Sequence, residues 1–206
     1  MIRRLSMAAL AVLIALPGAV QGQEDLMMRV DRSTNAADPD DVPDVTITNV
    51  DGGFEVHTGP AAVVWDEGQT ASGEFNLSAT FTLLEPSGHP NYYGLIYGGS
   101  NLNTDGQNYM YFLIAQNGTY IIKHRANNET VHDIVGRTPH DAINDGAATN
   151  DLEVRVGADE IAFVINGQVV HTTENAGMAG RTDGIYGVRV NHVIPGVRVE
   201  GLSVSQ

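Results

Sequence analysis

Apolar residues recur at every second position along most of the chain from Val45 onward, which is the period of β-strands with one buried face. The clearest example is Phe75 to Leu83, where apolar and polar side chains alternate between Gly73 and Pro86. No segment shows the 3.6-residue periodicity of a long amphipathic helix. It therefore predicts a protein built almost entirely of short strands.

Turn residues join these strands in a way that favours antiparallel pairing. Asn166 and Gly167 are a hairpin signal, because both central positions of a type I′ turn require positive φ. We predict a three-stranded meander over Asp151 to His171, and a β-bulge at Gly201, where the apolar phase changes. About ten or more short strands in one domain imply an antiparallel β-sandwich of two packed sheets, and a closed barrel is the alternative.

Two segments precede the predicted sandwich. Met1 to Gly22 carries two arginines, an apolar run and small residues, which is the pattern of a secretory signal peptide. The apolar run from Met7 to Leu16 is shorter than the roughly 20 residues of a transmembrane helix, so we predict a secreted or periplasmic protein without a membrane span. An uncleaved N-terminal anchor is the alternative. Residues 23–44 are rich in Asp and poor in apolar groups, which predicts a flexible acidic leader before a sandwich domain at 45–206.

Charge and cysteine content exclude several classes of protein. The chain has 25 acidic and 11 basic residues, for a formal net charge of −14. Nucleic acids and anionic membranes attract cationic surfaces, so neither is predicted as a partner. Without cysteine, the chain has no disulfides, thiolate metal sites or cysteine nucleophiles. The histidines lack zinc-site spacing and Asn101 to Gly106 matches only the start of a calcium loop, so no metal or cofactor is predicted.

Several short motifs carry a family resemblance. They include Gly73 to Phe75, Tyr93 to Gly99, Tyr111 to Ile114, Phe163 to Gly167 and Tyr186 to His192. Together they resemble secreted jelly-roll proteins of the concanavalin A-like lectin/glucanase superfamily, in particular its laminin-G-like and 3-keto-disaccharide hydrolase-like domains. The resemblance implies a jelly roll that contacts carbohydrate. It implies no mechanism, because one fold serves many functions.

The sequence contains no clear catalytic signal. Retaining glucanases of the superfamily carry closely spaced carboxylates on one strand, and no Glu-x-Asp-x-x-Glu occurs here. No Gly-x-Ser-x-Gly is present to position a serine nucleophile. We therefore predict a non-catalytic carbohydrate-binding domain. The alternatives are a hydrolase of the 3-keto-disaccharide type and a structural or interaction module of an extracellular assembly.

The candidate ligand site comes from side chains that are out of phase with the apolar positions of the long strands. Several of the few basic residues share this phase with tyrosines, so we predict a sheet face on which rings stack against sugars while Arg and Asn bond hydroxyls or carboxylates. Tyr97 joins the set because Gly98 and Gly99 would let a ligand approach the backbone. The alternative is an ordinary solvated face with cross-strand ion pairs. The predicted ligand-binding residues are Tyr97, Tyr109, Tyr111, Lys123, Arg125, Glu153, Arg155, Arg189 and Asn191.

The tryptophan and at least one histidine are also predicted to be buried. Trp65 ends an apolar strand and is predicted to pack in the core, with a sugar-binding platform as the alternative. His124 and His192 share the apolar phase of their strands, so at least one of them is expected to be a buried, hydrogen-bonded histidine.

Overall fold

The computed structural model of the protein describes residues 26–31 and 43–206. Within these ranges the chain forms fourteen β-strands and no helix. In chain order the strands are β1 (Met27–Asp31), β2 (Thr46–Val50), β3 (Gly53–Thr58), β4 (Ala61–Ala71), β5 (Phe75–Leu83), β6 (Tyr92–Ser100), β7 (Asn108–Ala115), β8 (Thr119–Arg125), β9 (Val131–Pro139), β10 (Thr149–Val156), β11 (Glu160–Ile165), β12 (Gln168–Glu174), β13 (Gly184–Val190) and β14 (Ile194–Ser205).

The described strands form two seven-stranded sheets. Sheet A has the order β1-β4-β13-β6-β7-β8-β9, and sheet B has the order β12-β11-β10-β5-β14-β3-β2. Every neighbouring pair of strands in both sheets is antiparallel. The prediction of an antiparallel β-sandwich with two packed sheets is therefore confirmed.

The main hydrophobic core lies between the two sheets. Leu95 and Phe112 enter it from sheet A, Phe81 and Phe163 enter it from sheet B, and all four have no exposed surface. Phe112 and Phe163 meet edge to face, with ring centroids 5.2 Å apart. Because side chains alternate along a strand, the neighbours of these inward residues point to the outer faces of the sandwich. Those outer faces are where a ligand could meet the protein.

Local features predicted from turn residues are present in the structure. Asn166 and Gly167 have φ angles of 49° and 79° and turn β11 back into β12. Strands β10, β11 and β12 form the predicted meander. Gly201 has a φ of 63° and lies where the register between β14 and β5 shifts. The hairpin and the bulge are therefore confirmed.

The prediction of a flexible leader over residues 23–44 is wrong for Met27–Asp31. These residues form β1, the edge strand of sheet A, which pairs with β4. The strand has only five residues and alternates Arg29 and Asp31 with apolar groups, so it lacks the run of apolar positions that identifies longer strands. The acidic stretch at 32–42 and the predicted signal peptide lie outside the described residues. The part of the chain that is described contains no helix able to cross a bilayer.

Candidate ligand-binding site

The outer faces of the two sheets have different compositions. On sheet B, outward side chains are polar and short, as with Ser78, Thr80 and Thr82 on β5, which is typical of a solvated face. On sheet A, the outward side chains form a second buried cluster that is separate from the core between the sheets. Its members are Val63, Trp65, Tyr92, Ile96, Leu102, Tyr109, Tyr111, Leu113, Ala115 and Ile121. We name the outer face of sheet A, with these residues as its floor, the tyrosine face.

Six of the nine predicted ligand-binding residues lie together on the tyrosine face. Tyr109 pairs with Arg125 and Tyr111 with Lys123 across the β7–β8 ladder, and the two tyrosine rings lie 5.8 Å apart. Strand β13 contributes Arg189 to the same face. The six residues are Tyr109, Tyr111, Lys123, Arg125, Arg189 and Asn191. Alternation along β7, β8 and β13, which share sheet A with β6 between β13 and β7, places these side chains on one face, and Asn191 directly follows β13.

The other three predicted residues do not belong to this face. Glu153 and Arg155 lie on β10 in sheet B, where they form an ion pair of 2.8 Å with each other. Tyr97 points into the core between the sheets and has no exposed surface. A Cβ atom at Gly98 would lie 2.1 Å from the backbone oxygen of Arg181, so the chain itself fills the space predicted for a ligand. The prediction that these three residues share the ligand face is wrong.

Arg189 is the polar centre of the tyrosine face. Its Nη1 donates to the hydroxyl of Tyr109 at 2.8 Å and to Asp31 Oδ2 at 2.8 Å, and its Nε donates to Asn191 Oδ1 at 3.1 Å. Its guanidinium carbon lies 5.8 Å from the centre of the Tyr111 ring. Arg189 is only 7% exposed. A guanidinium this buried needs a nearby negative charge, and Asp31 supplies it.

Burial and charge act in opposite directions on this ion pair. Burial alone would raise the pKa of Asp31, but the charge and hydrogen bond of Arg189, together with Gln107 and the charge of Arg125, outweigh it and hold the pKa below its ordinary value. Burial likewise disfavours the charged form of Arg189, yet Tyr109 and Asp31 outweigh it and raise the pKa of the guanidinium. Burial also raises the pKa of Tyr111 to about 12. At neutral pH the face therefore contains an ionised Arg189–Asp31 pair beside a neutral tyrosine.

A polar bridge crosses the tyrosine face. In sheet A, four strands separate β1 from β8, yet Arg29 and Asp31 of β1 bond to loops at the ends of β7 and β8. Arg29 Nη2 donates to Asp105 Oδ1 and to Asn128 Oδ1 at 3.1 Å each, and Gln107 Nε2 donates to Asp31 Oδ1 at 3.2 Å. Sheet A must curl over its outer face for these groups to meet. We name these five residues the polar bridge.

The accessible part of the tyrosine face lies along β8 and β9. The side chain of Lys123 is 26% exposed and pairs with Asp133 at 2.8 Å. Arg137 is exposed and stands over the ring of Tyr92, 5.9 Å from its centre. By contrast, Tyr111 is only 5% exposed. A ligand on this face therefore meets the charged groups of β8 and β9 first, with the tyrosine floor beneath them.

Sequence reasoning missed several residues that complete this site, namely the polar bridge and Arg137. Asp31 bonds to Arg189 across 158 positions of the chain, and no local pattern links the two. The one signal available was that Arg29 and Asp31 share an alternation phase within a short stretch otherwise assigned to the leader. Long-range pairing of β1 with β4 is what brings them to the face.

Trp65 and His124 are both buried, in different layers. Trp65 is 2% exposed, but it belongs to the floor of the tyrosine face and not to the core between the sheets. The prediction was thus right about its burial and wrong about its layer. His124 is 1% exposed, its Nε2 donates to Asn108 Oδ1 at 3.0 Å, and its ring stacks on His132. The prediction of a buried, hydrogen-bonded histidine is confirmed for His124.

A separate depression lies at one end of the sandwich. Gly73, Gly157, Gly180, Arg181 and Asp183 are among the residues that line it. None of the nine predicted ligand-binding residues lines it. Within residues 26–31 and 43–206, no group of three or more His, Cys, Asp or Glu side chains is arranged to hold a metal ion.

Comparison with solved structures places this architecture among known folds. The carbohydrate binding module CBM66 from Bacillus subtilis matches with a TM-score of 0.63 at 11% identity, over 79% of this chain and 92% of that one. A B. subtilis protein of unknown function with a galectin-like fold matches with a TM-score of 0.58 at 12% identity, over 88% and 89%. The fold is that of the jelly-roll lectins.

A further match is the carbohydrate recognition domain of Emp46p in its potassium-bound form, with a TM-score of 0.53 at 12% identity over 78% of this chain and 85% of that one. Neither a protein-family model nor a curated protein sequence matches the chain. At such low identities the likeness shows the fold alone.

Proposed function

We propose that this protein binds carbohydrate on the tyrosine face and does not cleave it. The observation that carries the proposal is the composition of that face, which is aromatic with a buried arginine at its centre, whereas an ordinary sandwich presents a solvated face there. Aromatic rings offer apolar surface to the C–H faces of sugars, and charged donors bond their hydroxyls. Two of the similar structures, CBM66 and the Emp46p domain, are carbohydrate-binding by name and support the same function.

Each buried group on the tyrosine face orients a more accessible one. Arg189 stacks on Tyr111, which pairs directly with Lys123 on the neighbouring strand. Arg189 Nε also donates a hydrogen bond to Asn191 Oδ1, so the amide NH₂ of Asn191 is turned away from the guanidinium. The buried network therefore orients Asn191 as a donor for sugar hydroxyls, while Lys123 lies beside Tyr111 on the same face. A preorganised set of donors loses little entropy when a ligand binds.

The charge state of the face argues against hydrolysis. A glycosidase needs a carboxylic acid with a raised pKa to protonate the leaving oxygen. The buried carboxylate of this face, Asp31, has a lowered pKa because Arg189 pairs with it. Asp133 is paired with Lys123 and is 60% exposed. Asp105 is paired with Arg29 and is 89% exposed. None of these three carboxylates has the environment of a general acid.

We also propose that the protein is exported after removal of Met1 to Gly22. Cleavage there would leave β1 whole, because β1 begins at Met27. N-terminal sequencing of the protein recovered from the medium or periplasm tests this. A product that starts near Gln23 supports export, and one that retains Met1 contradicts it.

A glycan array with the full chain tests the function, with a reducing-sugar assay on every glycan retained. Lys123→Ala is the site variant, because its exposed ion pair with Asp133 contributes about 1 kcal/mol or less to stability. Glu153→Ala is the matched control, since it removes a similar exposed pair with Arg155 from sheet B. We expect retention by the wild type and by Glu153→Ala, and loss of retention by Lys123→Ala.

The other outcomes separate the alternatives. Equal retention by Lys123→Ala and the wild type would show that sugars bind elsewhere. Release of reducing sugar would replace the proposal with a hydrolase. If no glycan were retained or cleaved, the third alternative, a structural or interaction module, would take its place.

A further inference from the structure

Positive charge is concentrated on the tyrosine face of an otherwise acidic chain. The described residues include eight lysines and arginines, and five of them, Arg29, Lys123, Arg125, Arg137 and Arg189, lie on this face or at its rim. The carboxylates that face them are Asp31, Asp105 and Asp133. A chain with a formal charge of −14 thus presents a locally positive surface where a ligand would bind.

Two of these cations have no described carboxylate within ion-pair distance. Arg29, Lys123 and Arg189 each lie within 4.0 Å of an aspartate, but among the described residues no carboxylate comes that close to Arg125 or Arg137. Arg125 Nη1 donates only to backbone oxygens in the β8–β9 loop. The guanidinium of Arg137 lies over the ring of Tyr92. Neither guanidinium is therefore held by a carboxylate at ion-pair distance, although the charge of Arg125 also acts on Asp31.

An unpaired acceptor of the polar bridge and an unpaired donor of Arg125 beside it are also present. Arg125 Nε and Gln107 Oε1 are buried and have no hydrogen-bond partner. Arg125 donates to the backbone oxygen of Asn128, and Gln107 donates to Asn128 Oδ1. The two unpaired atoms therefore lie in one neighbourhood. Buried polar atoms without partners are costly, so the polar groups of this neighbourhood are incompletely satisfied.

We propose that the ligand of the tyrosine face is an anionic glycan, whose carboxylate or sulfate groups bind Arg125 and Arg137. This inference rests on the proposed function, and it adds the chemical class of the sugar. Asp31 shows that this face already accommodates a carboxylate, which it holds with Arg189, Arg29 and Gln107. Carboxylate and sulfate share the chemistry that a guanidinium recognises.

Binding of the full chain to three oligosaccharide preparations tests the inference by titration calorimetry. Oligogalacturonate carries carboxylates, sulfated dextran carries sulfates, and unmodified dextran is neutral. We expect the protein to bind at least one anionic preparation, more weakly at higher salt, and to bind neutral dextran at least about tenfold more weakly. Whether oligogalacturonate or sulfated dextran binds then assigns the anionic group, and either result supports the inference.

Three charge-matched variants locate the binding. Arg125→Gln and Arg137→Gln should each weaken binding of the anionic sugar by about tenfold, because each loses a charge-assisted bond. Arg155→Gln on sheet B removes the same charge far from the face and should bind like the wild type. Arg137 is exposed, so its variant is informative even if Arg125→Gln fails to fold.

The failures of the two proposals are distinguishable. If neutral glycans bind as tightly as anionic ones, or the two site variants match Arg155→Gln, the anionic class is overturned while carbohydrate binding stands. If single-stranded DNA of similar length binds as tightly as the anionic sugars, the face is a general polyanion surface and the inference is overturned. If no glycan binds in the array or the calorimeter, both proposals fall.

Discussion

Replacing Arg189 tests whether the tyrosine face is built around a buried ion pair. Arg189→Met keeps a long apolar side chain but removes three hydrogen bonds, to Asp31, Tyr109 and Asn191. Breaking a buried ion pair on one side costs about 3–5 kcal/mol. Arg29 Nε still donates to Asp31 at 3.0 Å after the change, so the carboxylate keeps a cation. We therefore expect a loss at the lower end, about 3 kcal/mol in the free energy of unfolding.

Urea unfolding followed by tryptophan fluorescence measures this loss. Trp65 is the only tryptophan of the chain and lies on the floor of the same face. In thermal melts the same change should lower the Tm by about 6–12 °C, since 1 kcal/mol corresponds to about 2–4 °C in a chain of this size. A change within about 0.5 kcal/mol of the wild type, which is typical of a surface substitution, would refute the buried pair.

A double-mutant cycle separates the pair from its surroundings. Asp31→Asn removes the charge but keeps the shape of the carboxylate, and the double variant with Arg189→Met removes both partners. Because the two side chains are in direct contact at 2.8 Å, we expect their effects to be coupled by about 1–3 kcal/mol. Additive losses would mean that the two residues stabilise the fold independently.

Two smaller predictions follow from the same network. Because the pKa of Asp31 is lower in the folded state, its contribution is complete above the unfolded value of 3.8 and is lost as the pH falls through the folded pKa. Wild type should therefore lose more unfolding free energy in acid than Asp31→Asn in matched urea titrations, and parallel pH profiles would contradict this. Tyr109→Phe removes the hydroxyl that accepts from Arg189 and should cost about 1 kcal/mol in the same assay; no loss would mean that this bond contributes nothing.

The alternation of apolar and polar residues predicted the direction of side chains but not the sheet they belong to. Tyr109 and Glu153 are both out of phase with the apolar positions, and both point away from the core between the sheets. They lie on opposite sides of the sandwich because β7 and β10 pair with different neighbours. Strand order depends on pairing between distant segments, which a local period does not encode.

The polar bridge could not be predicted either, because it also depends on pairing between distant segments. Asp31 lies in a five-residue strand beside an acidic stretch, and its composition resembles a solvated leader. Its role appears only when β1 pairs with β4 and the carboxylate meets Arg189 from β13. The sequence therefore predicted the fold and the grouping of six residues on the tyrosine face, while the polar bridge required the three-dimensional structure.

The indole N–H resonance of Trp65 tests the central claim most directly, because one tryptophan gives one such signal and it reports from the tyrosine face. A ¹⁵N-labelled sample is titrated with an oligosaccharide that the array retains. We predict that the Trp65 signal shifts in a saturable way, with the same affinity that calorimetry reports. Saturable binding in calorimetry with an unmoved Trp65 signal would contradict the assignment of the site to this face.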